Sequence, residues 1–112
     1  MSHHDVKYRL QHMLENAEEA ISLIKGKTRT DLKQERLLEL ALIRLVEVIG
    51  EAAAKIGYDE YYKYSTIPWN QVVGMRNRLI HGYDEVDLDI LWNTIEIDLP
   101  MLVKELKNIL NQ

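Results

Sequence analysis

Segment 31–56, "DLKQERLLELALIRLVEVIGEAAAKI", decides the fold class because it is the longest and most apolar stretch of the chain. Its apolar residues recur every three or four positions, which predicts one helix from Asp31 to Ile56. Six of them trace one stripe and four more widen it: Leu37, Ala41, Leu45, Val48, Ala52 and Ile56, then Leu38, Leu42, Ile49 and Ala53. A stripe this broad indicates a central helix, or a helix partly covered by a second protein molecule.

A shorter amphipathic helix is predicted before it, over "DVKYRLQHMLENAEEAISLIKG" (5–26). Asp5 is its expected N-cap, and Gly26 is the residue expected just after its end. The connector "GKTRT" follows, in which Thr28 or Thr30 can cap the long helix.

Two further helices complete the predicted fold. A helix is predicted over segment 69–81, "WNQVVGMRNRLIH", with Pro68 in its first turn and Gly82 as the residue that stops it. The last helix should start near Asp87 or Asp89, and Pro100 should kink or break it near residues 97–99 because proline lacks an N–H donor. The intervening "YDEYYKYSTI" (58–67) predicts a link with one short helical turn, whose tyrosines pack onto the helices. The sequence therefore predicts an all-α fold, an antiparallel bundle of four main helices.

Composition narrows the function. The chain has 112 residues, which suits a single domain over residues 1–112, and it contains no cysteine. Its net charge of −4 argues against a large basic surface that follows nucleic acid, so any contact with RNA should be local. No apolar stretch is long enough to cross a bilayer, and no apolar signal segment follows Met1. We therefore expect a cytoplasmic protein without a membrane partner.

The side chains best suited to chemistry lie in segment 75–89, "MRNRLIHGYDEVDLD". If the third helix ends here, the partial negative charge at its C-terminus favours a protonated His81 and attracts guanidinium groups. Asn77 and His81 would lie on nearly the same helical face, whereas Arg76 would lie about 140° from His81. Arg76 and His81 would then converge only if the helix unwinds at Gly82, or if a second copy of the chain brings its own motif alongside.

Structural roles for these residues remain open. A histidine near a helix C-terminus is usually a cap for the last carbonyl groups, and a tyrosine such as Tyr83 after a glycine is usually a hydrophobic lid. Glu47 and Glu51 lie four residues apart on one helical face, where structural charge is the default role and an acid–base pair is the alternative. The acidic run "DEVDLD" lacks the glycine and spacing of a calcium-binding loop, so we expect no metal site and no cofactor.

The polar segment carries a family resemblance. "RNRLIHGY" gives Arg76-x4-His81-x-Tyr83, with the polar Asn77 directly after the arginine. This resembles the R-x4-H-x-Y form of the motif in HepT-like toxins, which are members of the HEPN-domain superfamily. Three longer stretches are also similar to the family: "LVEVIGEAAAKI" (45–56), "IPWNQVVGMRNRLIHGY" (67–83) and "EVDLDILWNTIEIDLP" (85–100).

The resemblance implies specific partners and roles. HEPN proteins are all-helical, form dimers around the motif-bearing helices, and commonly act as RNases that need no metal. HepT-like members pair with an MNT-type nucleotidyltransferase antitoxin, which silences the toxin by transferring AMP to the motif tyrosine, here Tyr83. The resemblance thus implies a homodimeric toxin in which Arg76 and His81 are catalytic, with Asn77 in support.

The residues themselves suit this chemistry. Histidine titrates in the right range to remove a proton from a ribose 2′-hydroxyl, which is worth roughly 10²–10⁴-fold in rate. Arg76 stays charged and can bind two phosphate oxygens at once, and Asn77 can donate to the same centre or orient His81. The expected products are a 2′,3′-cyclic phosphate and a 5′-hydroxyl. The alternative is a non-catalytic helical module that binds a nucleotide or the nucleotidyltransferase.

Overall fold

The computed structural model describes residues 2–81 and 85–111, and of His81 it describes the backbone only. The described chain is all-α, as predicted, apart from a two-residue antiparallel ladder. Its α-helices are α1 (His3–Leu23), α2 (Arg29–Gln34), α3 (Arg36–Ile56), α4 (Tyr58–Tyr61), α5 (Trp69–Val73), α6 (Met75–Leu79), α7 (Leu88–Asn93) and α8 (Leu99–Leu110). A 3₁₀ turn (Tyr62–Tyr64) follows α4, a π-helical segment (Thr94–Asp98) joins α7 to α8, and the ladder pairs β1 (Ile80–His81) with β2 (Glu85–Val86).

Helix α1 begins three residues earlier than the sequence predicts. Ser2 is the N-cap, and its hydroxyl oxygen accepts a hydrogen bond from the backbone N–H of Asp5, which therefore lies in the first turn. Gly26, at φ +76°, lies beyond the end of the helix as expected. The buried face of α1 packs against α3 and α8, and consists of Val6, Leu10, Met13, Leu14, Ala17 and Ala20.

The predicted single helix over residues 31–56 is wrong, because the chain leaves helical geometry at Glu35 (φ −110°, ψ 93°). Helix α2 before the break starts with a capping box in which Thr28 and Asp31 satisfy each other's backbone N–H groups. Of the two threonines predicted as possible caps, Thr28 and Thr30, the N-cap of α2 is Thr28. The break lets Leu32 reach the core, where it is fully buried, and an exposed ion pair of Lys27 with Glu35 at 2.9 Å accompanies it. The burial of Leu32 offsets the interruption of a run of good helix formers.

Helix α3 buries all four residues predicted to widen the stripe, but only Ala52 and Ile56 of the first six. Leu37 is 83% exposed, and the buried set is Leu38, Leu42, Val46, Ile49, Gly50, Ala52, Ala53 and Ile56. Gly50 marks a close approach, since a Cβ there would lie 3.4 Å from the carbonyl oxygens of both Val72 and Val73. This contact brings α5, and α6 after it, alongside α3.

The predicted helix over residues 69–81 is two short helices that end earlier. Pro68 is the N-cap of α5, and Gly74 separates α5 from α6 with φ −85° and ψ −1°. Helix α6 ends at Leu79, because Ile80 is extended (φ −94°, ψ 124°) and begins the ladder in which His81 pairs with Glu85. His81 therefore lies two residues beyond the last residue of α6, and the predicted effect of the helix dipole on its imidazole, which lies outside the described atoms, stays a prediction.

The last helical region begins where predicted and continues through Pro100. Asp87 is the N-cap of α7, and its carboxylate accepts from the N–H groups of Asp89 and Ile90. At the π-helical segment the N–H of Leu99 donates to the carbonyl oxygen of Thr94, one residue further back than in an α-helix. This wider turn accommodates the missing donor of Pro100, which lies in the first turn of α8. No break occurs; a bend of the axis, and the antiparallel bundle of four helices, stay predictions.

The tyrosine-rich link holds the predicted helical turn but is only partly packed. Tyr61 stacks on Trp69 with ring centroids 4.3 Å apart, and its hydroxyl donates to the carbonyl oxygen of Ala53 at 2.7 Å. Tyr58 and Tyr62 are exposed, so the expectation that the tyrosines pack onto the helices holds only for Tyr61 and the half-buried Tyr64. No described helix is long and apolar enough to cross a membrane.

Candidate nucleic-acid cleavage site

The site is built around Arg76, which projects from α6 beside α3. Its Nε donates to a carboxylate oxygen of Glu47 on α3 at 3.0 Å. The Arg76 side chain is half exposed, whereas that of Glu47 is only 24% exposed. Both line a shallow cavity of about 150 Å³ whose other walls are Ile43, Leu79, Ile80, Glu85 and Val86.

Arg76 keeps most of its binding capacity for a ligand. A guanidinium carries five N–H donors, and only Nε is used in the contact with Glu47. The two Nη groups have no hydrogen-bond partner among the residues that the structure describes. Two Nη groups side by side match two oxygens of one phosphate. The described part of the site therefore offers one oriented, solvent-accessible guanidinium whose N–H groups can donate hydrogen bonds to a phosphate.

Asn77 is exposed but lines a neighbouring depression rather than the cavity at Arg76. That depression, of about 300 Å³, lies between the C-terminal end of α3 and the start of α5, and Asn70 and Tyr58 are also on its walls. Within one copy of the chain, Arg76 and Asn77 thus face different concavities. The amide of Asn77 has no hydrogen-bond partner in the described part of the chain, so it is free to meet a ligand.

His81 and Tyr83 carry the rest of the predicted chemistry. The backbone of His81 lies in β1, which begins at Ile80 directly after α6 ends at Leu79. The side chain of His81 and the whole of Tyr83 lie outside the described residues. Their roles therefore stay predictions.

Arg78, the second arginine of the motif region, is engaged in the fold. Its Nη1 donates to the carbonyl oxygen of Gln71 at 2.9 Å and so bridges the junction between α5 and α6. The junction is tight, because a Cβ on Gly74 would lie 3.1 Å from the carbonyl oxygen of Asn70. Arg78 thus stabilises the turn that aims Arg76.

Ion pairs hold the start of α7, the helix that follows the motif, against α2. Arg29 on α2 donates to the Asp89 carboxylate at 3.1 Å and to the Asn93 side chain at 2.7 Å. Lys33 contacts the same carboxylate at 3.3 Å. Hydrogen bonds from Arg29 and Lys33 hold the pKa of Asp89 below its usual value.

Glu47 and Glu51 of α3 form ion pairs with different partners. Glu51 pairs with Arg44 of the same helix at 3.6 Å, whereas Glu47 reaches across to Arg76. The pairing of Glu47 was missed at the sequence level because the two residues are 29 positions apart. The available signal is its place between Val46 and Val48 on an apolar helix, where a carboxylate needs a partner.

Among the described residues, no group of three or more His, Asp or Glu side chains is placed to hold a metal ion.

An all-α fold with an R-x4-H-x-Y segment fits a class of helical ribonucleases, and the comparisons support this class. The family model described as "Ribonuclease HepT-like" matches residues 13–109. The chain therefore belongs to the HepT-like ribonuclease family, within the HEPN superfamily, as its motif indicates.

Three relatives illustrate the match. "Putative RNase MJ1380" of Methanocaldococcus jannaschii is 36% identical over 96% of this chain and 98% of its own length. "Putative RNase TTE0752" of Caldanaerobacter subterraneus is 37% identical, with 92% of each chain covered. "Probable ribonuclease HepT" of Thermococcus cleftensis is 40% identical over 80% of this chain and 84% of its own length. No solved structure matches this chain significantly.

Proposed function

We propose that the protein is the RNase toxin of a toxin–antitoxin system and cleaves RNA in the cytoplasm without a metal ion. Membership of a ribonuclease family supports the reaction class. The observation that supports cleavage at this site is the half-exposed side chain of Arg76. None of the described residues forms a hydrogen bond with its two Nη groups. A single strong phosphate contact also fits a chain with a net charge of −4, which argues against a large basic surface for RNA.

The reaction is an internal transesterification. His81 removes the proton of a ribose 2′-hydroxyl, and the resulting 2′-oxygen attacks the adjacent phosphorus. Arg76 binds the non-bridging oxygens, whose negative charge increases in the transition state. The bond to the 5′-oxygen breaks, that oxygen takes up a proton, and the products are a 2′,3′-cyclic phosphate and a 5′-hydroxyl. Because Arg76 and Asn77 of one copy face different concavities, Asn77 supports the centre by hydrogen bonding from a partner copy, and a water molecule supplies the proton to the 5′-oxygen.

RNA cleavage by the purified, unmodified protein in EDTA tests the proposal. Arg76→Ala and His81→Ala should each lose roughly 10²-fold or more in rate while remaining folded. His12→Ala is a matched control for His81→Ala, since His12 is exposed on α1 and belongs to no predicted catalytic set. Undiminished cleavage by His81→Ala would remove the proposed base, and strict dependence on Mg²⁺ would refute the metal-free mechanism. RNA binding without cleavage would support the non-catalytic module instead.

Control by an MNT-type nucleotidyltransferase is the second part of the proposal. The antitoxin would transfer AMP from ATP to the Tyr83 hydroxyl, releasing pyrophosphate and the phenolic proton. The added phosphate would compete with RNA for Arg76 through charge and volume. Incubation with antitoxin and ATP should raise the intact mass by about 329 Da per AMP, by formula arithmetic for a phosphodiester adduct. Tyr83→Phe should stay active and escape silencing; a label on another residue would refute the assignment.

A further inference from the structure

Glu47 occupies a place that surface charge alone does not explain. Its side chain is largely shielded, and its carboxylate receives the Nε–H of Arg76. Other acidic side chains of α3 bind cations of their own helix, Glu39 with Arg36 and Glu51 with Arg44. Among the ion pairs that the described residues form, the pair of Glu47 with Arg76 is the one that joins α3 to α6.

The geometry of the contact determines which N–H groups of the guanidinium remain available. A bond at Nε restrains the rotation of the group and leaves both Nη groups unused by the described residues. An unattached arginine would lose more rotational freedom on meeting phosphate, because its long side chain samples many rotamers. The restrained rotation therefore favours two-oxygen binding to one phosphate.

The same carboxylate also has an electrostatic cost. Glu47 and Glu85 both line the cavity at Arg76, so two negative groups face the place where we put the RNA phosphate. A charge 3.0 Å from Arg76 reduces its attraction for a second anion. Orientation and charge thus act in opposite directions on RNA binding, which allows the two effects to be separated by mutation.

We propose that Glu47 is the positioning residue of Arg76: its carboxylate orients the guanidinium for the reacting phosphate, at the expense of weaker RNA binding. The inference rests on the proposed function, because it assigns a role in the same cleavage site. Glu47 itself does not transfer a proton in this account.

Steady-state cleavage by Glu47→Gln and Glu47→Ala tests the two effects. The amide oxygen of Gln still accepts from Nε, so Glu47→Gln should keep kcat within about threefold and lower KM, since only the charge is lost. Glu47→Ala should lower kcat about 10- to 100-fold, the usual result of a misplaced catalytic group. Glu51→Gln removes the same charge from the same helix without touching Arg76, and should change neither constant. An equal loss of kcat in Glu47→Gln and Glu47→Ala would overturn the proposal and indicate proton transfer by Glu47.

A double-mutant cycle checks that Glu47 acts through Arg76. Lysine keeps the charge of Arg76 but has no plane to orient, so Glu47→Ala should change kcat less than about threefold in an Arg76→Lys background. A loss as large as in the wild-type background would show that Glu47 acts independently of Arg76.

Two measurements do not require cleavage, so they separate this inference from the proposed function. Nuclear magnetic resonance should show the Nε–H of Arg76 protected from exchange in the wild type, Glu47→Gln and Glu51→Gln, and unprotected in Glu47→Ala. An RNA with a 2′-deoxy nucleotide at the cleavage position should bind more tightly to Glu47→Gln than to the wild type. A wild type that fails to cleave RNA would refute the proposed function alone. Equal Nε–H exchange in all four proteins would refute the inference.

Discussion

At the scale of single residues, Asp89 shows how a surface carboxylate can hold two elements together. Arg29 and Lys33 of α2 both bind it, and these contacts join α2 to the first turn of α7. The three side chains are substantially exposed, so each pair alone contributes little to the free energy of unfolding. The contribution must nevertheless depend on pH, because the hydrogen bonds lower the pKa of Asp89 only in the folded protein.

We therefore predict that Asp89→Asn lowers Tm at neutral pH, and that the difference from the wild type disappears in acid. The folded pKa lies below the unfolded value, near 3.8, so the stabilising effect is complete above 3.8 and is lost as the pH falls through the folded pKa. Thermal unfolding of both proteins across this range measures it. Asp59→Asn is the control, since the exposed Asp59 forms no ion pair within the described chain. A difference that stays constant into acid would refute the linkage.

Capping residues show what sequence can predict at this scale. Thr28 and Asp87 were each one of two predicted options, because an N-cap satisfies backbone donors only a few residues away. The predicted cap Asp5 was wrong because Ser2, three residues earlier, offers the same chemistry and the helix extends to it. The pair of Glu47 and Arg76 depends on how α3 and α6 pack, which no local pattern contains.

At the scale of elements, periodicity predicted where helices occur but not where they break. The interruption at Glu35 has no proline or glycine to signal it, and it lets Leu32 reach the core, with the exposed ion pair of Lys27 and Glu35 beside it. The early end of α6 depends on pairing between Ile80–His81 and Glu85–Val86, which is tertiary information. The early end of α6 matters for the site because it places the backbone of His81 outside the helix. The angle of about 140° between Arg76 and His81, which assumed one regular helix, therefore does not hold.

The short helix α4 provides a test of how the end of α3 is stabilised. The Tyr61 hydroxyl donates to the carbonyl oxygen of Ala53, while its ring stacks on Trp69. Tyr61→Phe keeps the stacked ring and loses the hydrogen bond, so it should lower the free energy of unfolding by about 1 kcal/mol. Denaturant unfolding measures the change. Tyr58→Phe serves as the control, because Tyr58 is 82% exposed, and an equal effect in both variants would show that the hydroxyl of Tyr61 contributes nothing specific.

At the scale of the whole molecule, the exposed face of α3 favours a dimer. Leu37 and Leu40 are exposed, and with Arg44 and Glu47 they recur at helical spacing on one side of α3. A second copy covering these leucines would lie beside the cavity at Arg76. We predict that Leu37→Glu converts a two-fold dimer to a folded monomer, which sedimentation measures, and that RNA cleavage is lost with it. Met101→Glu, at an exposed apolar residue of α8, should leave the dimer intact. A wild type that sediments as a monomer would contradict this.

A dimer would also explain how Arg76 and His81 act together, since each cleft would take residues from both copies. Arg76→Ala and His81→Ala homodimers should both be inactive, because every cleft lacks one of the two groups. A heterodimer of the two variants contains one cleft with both missing and one with both present, if Arg76 and His81 of a cleft come from different chains. Mixed and refolded subunits should therefore regain up to half of the wild-type rate per heterodimer, and a purified heterodimer with differently tagged chains isolates that species. Verified heterodimers without activity would mean that each cleft takes both residues from one chain or needs both copies of each, and would refute a cleft built from one Arg76 and one His81 of different chains.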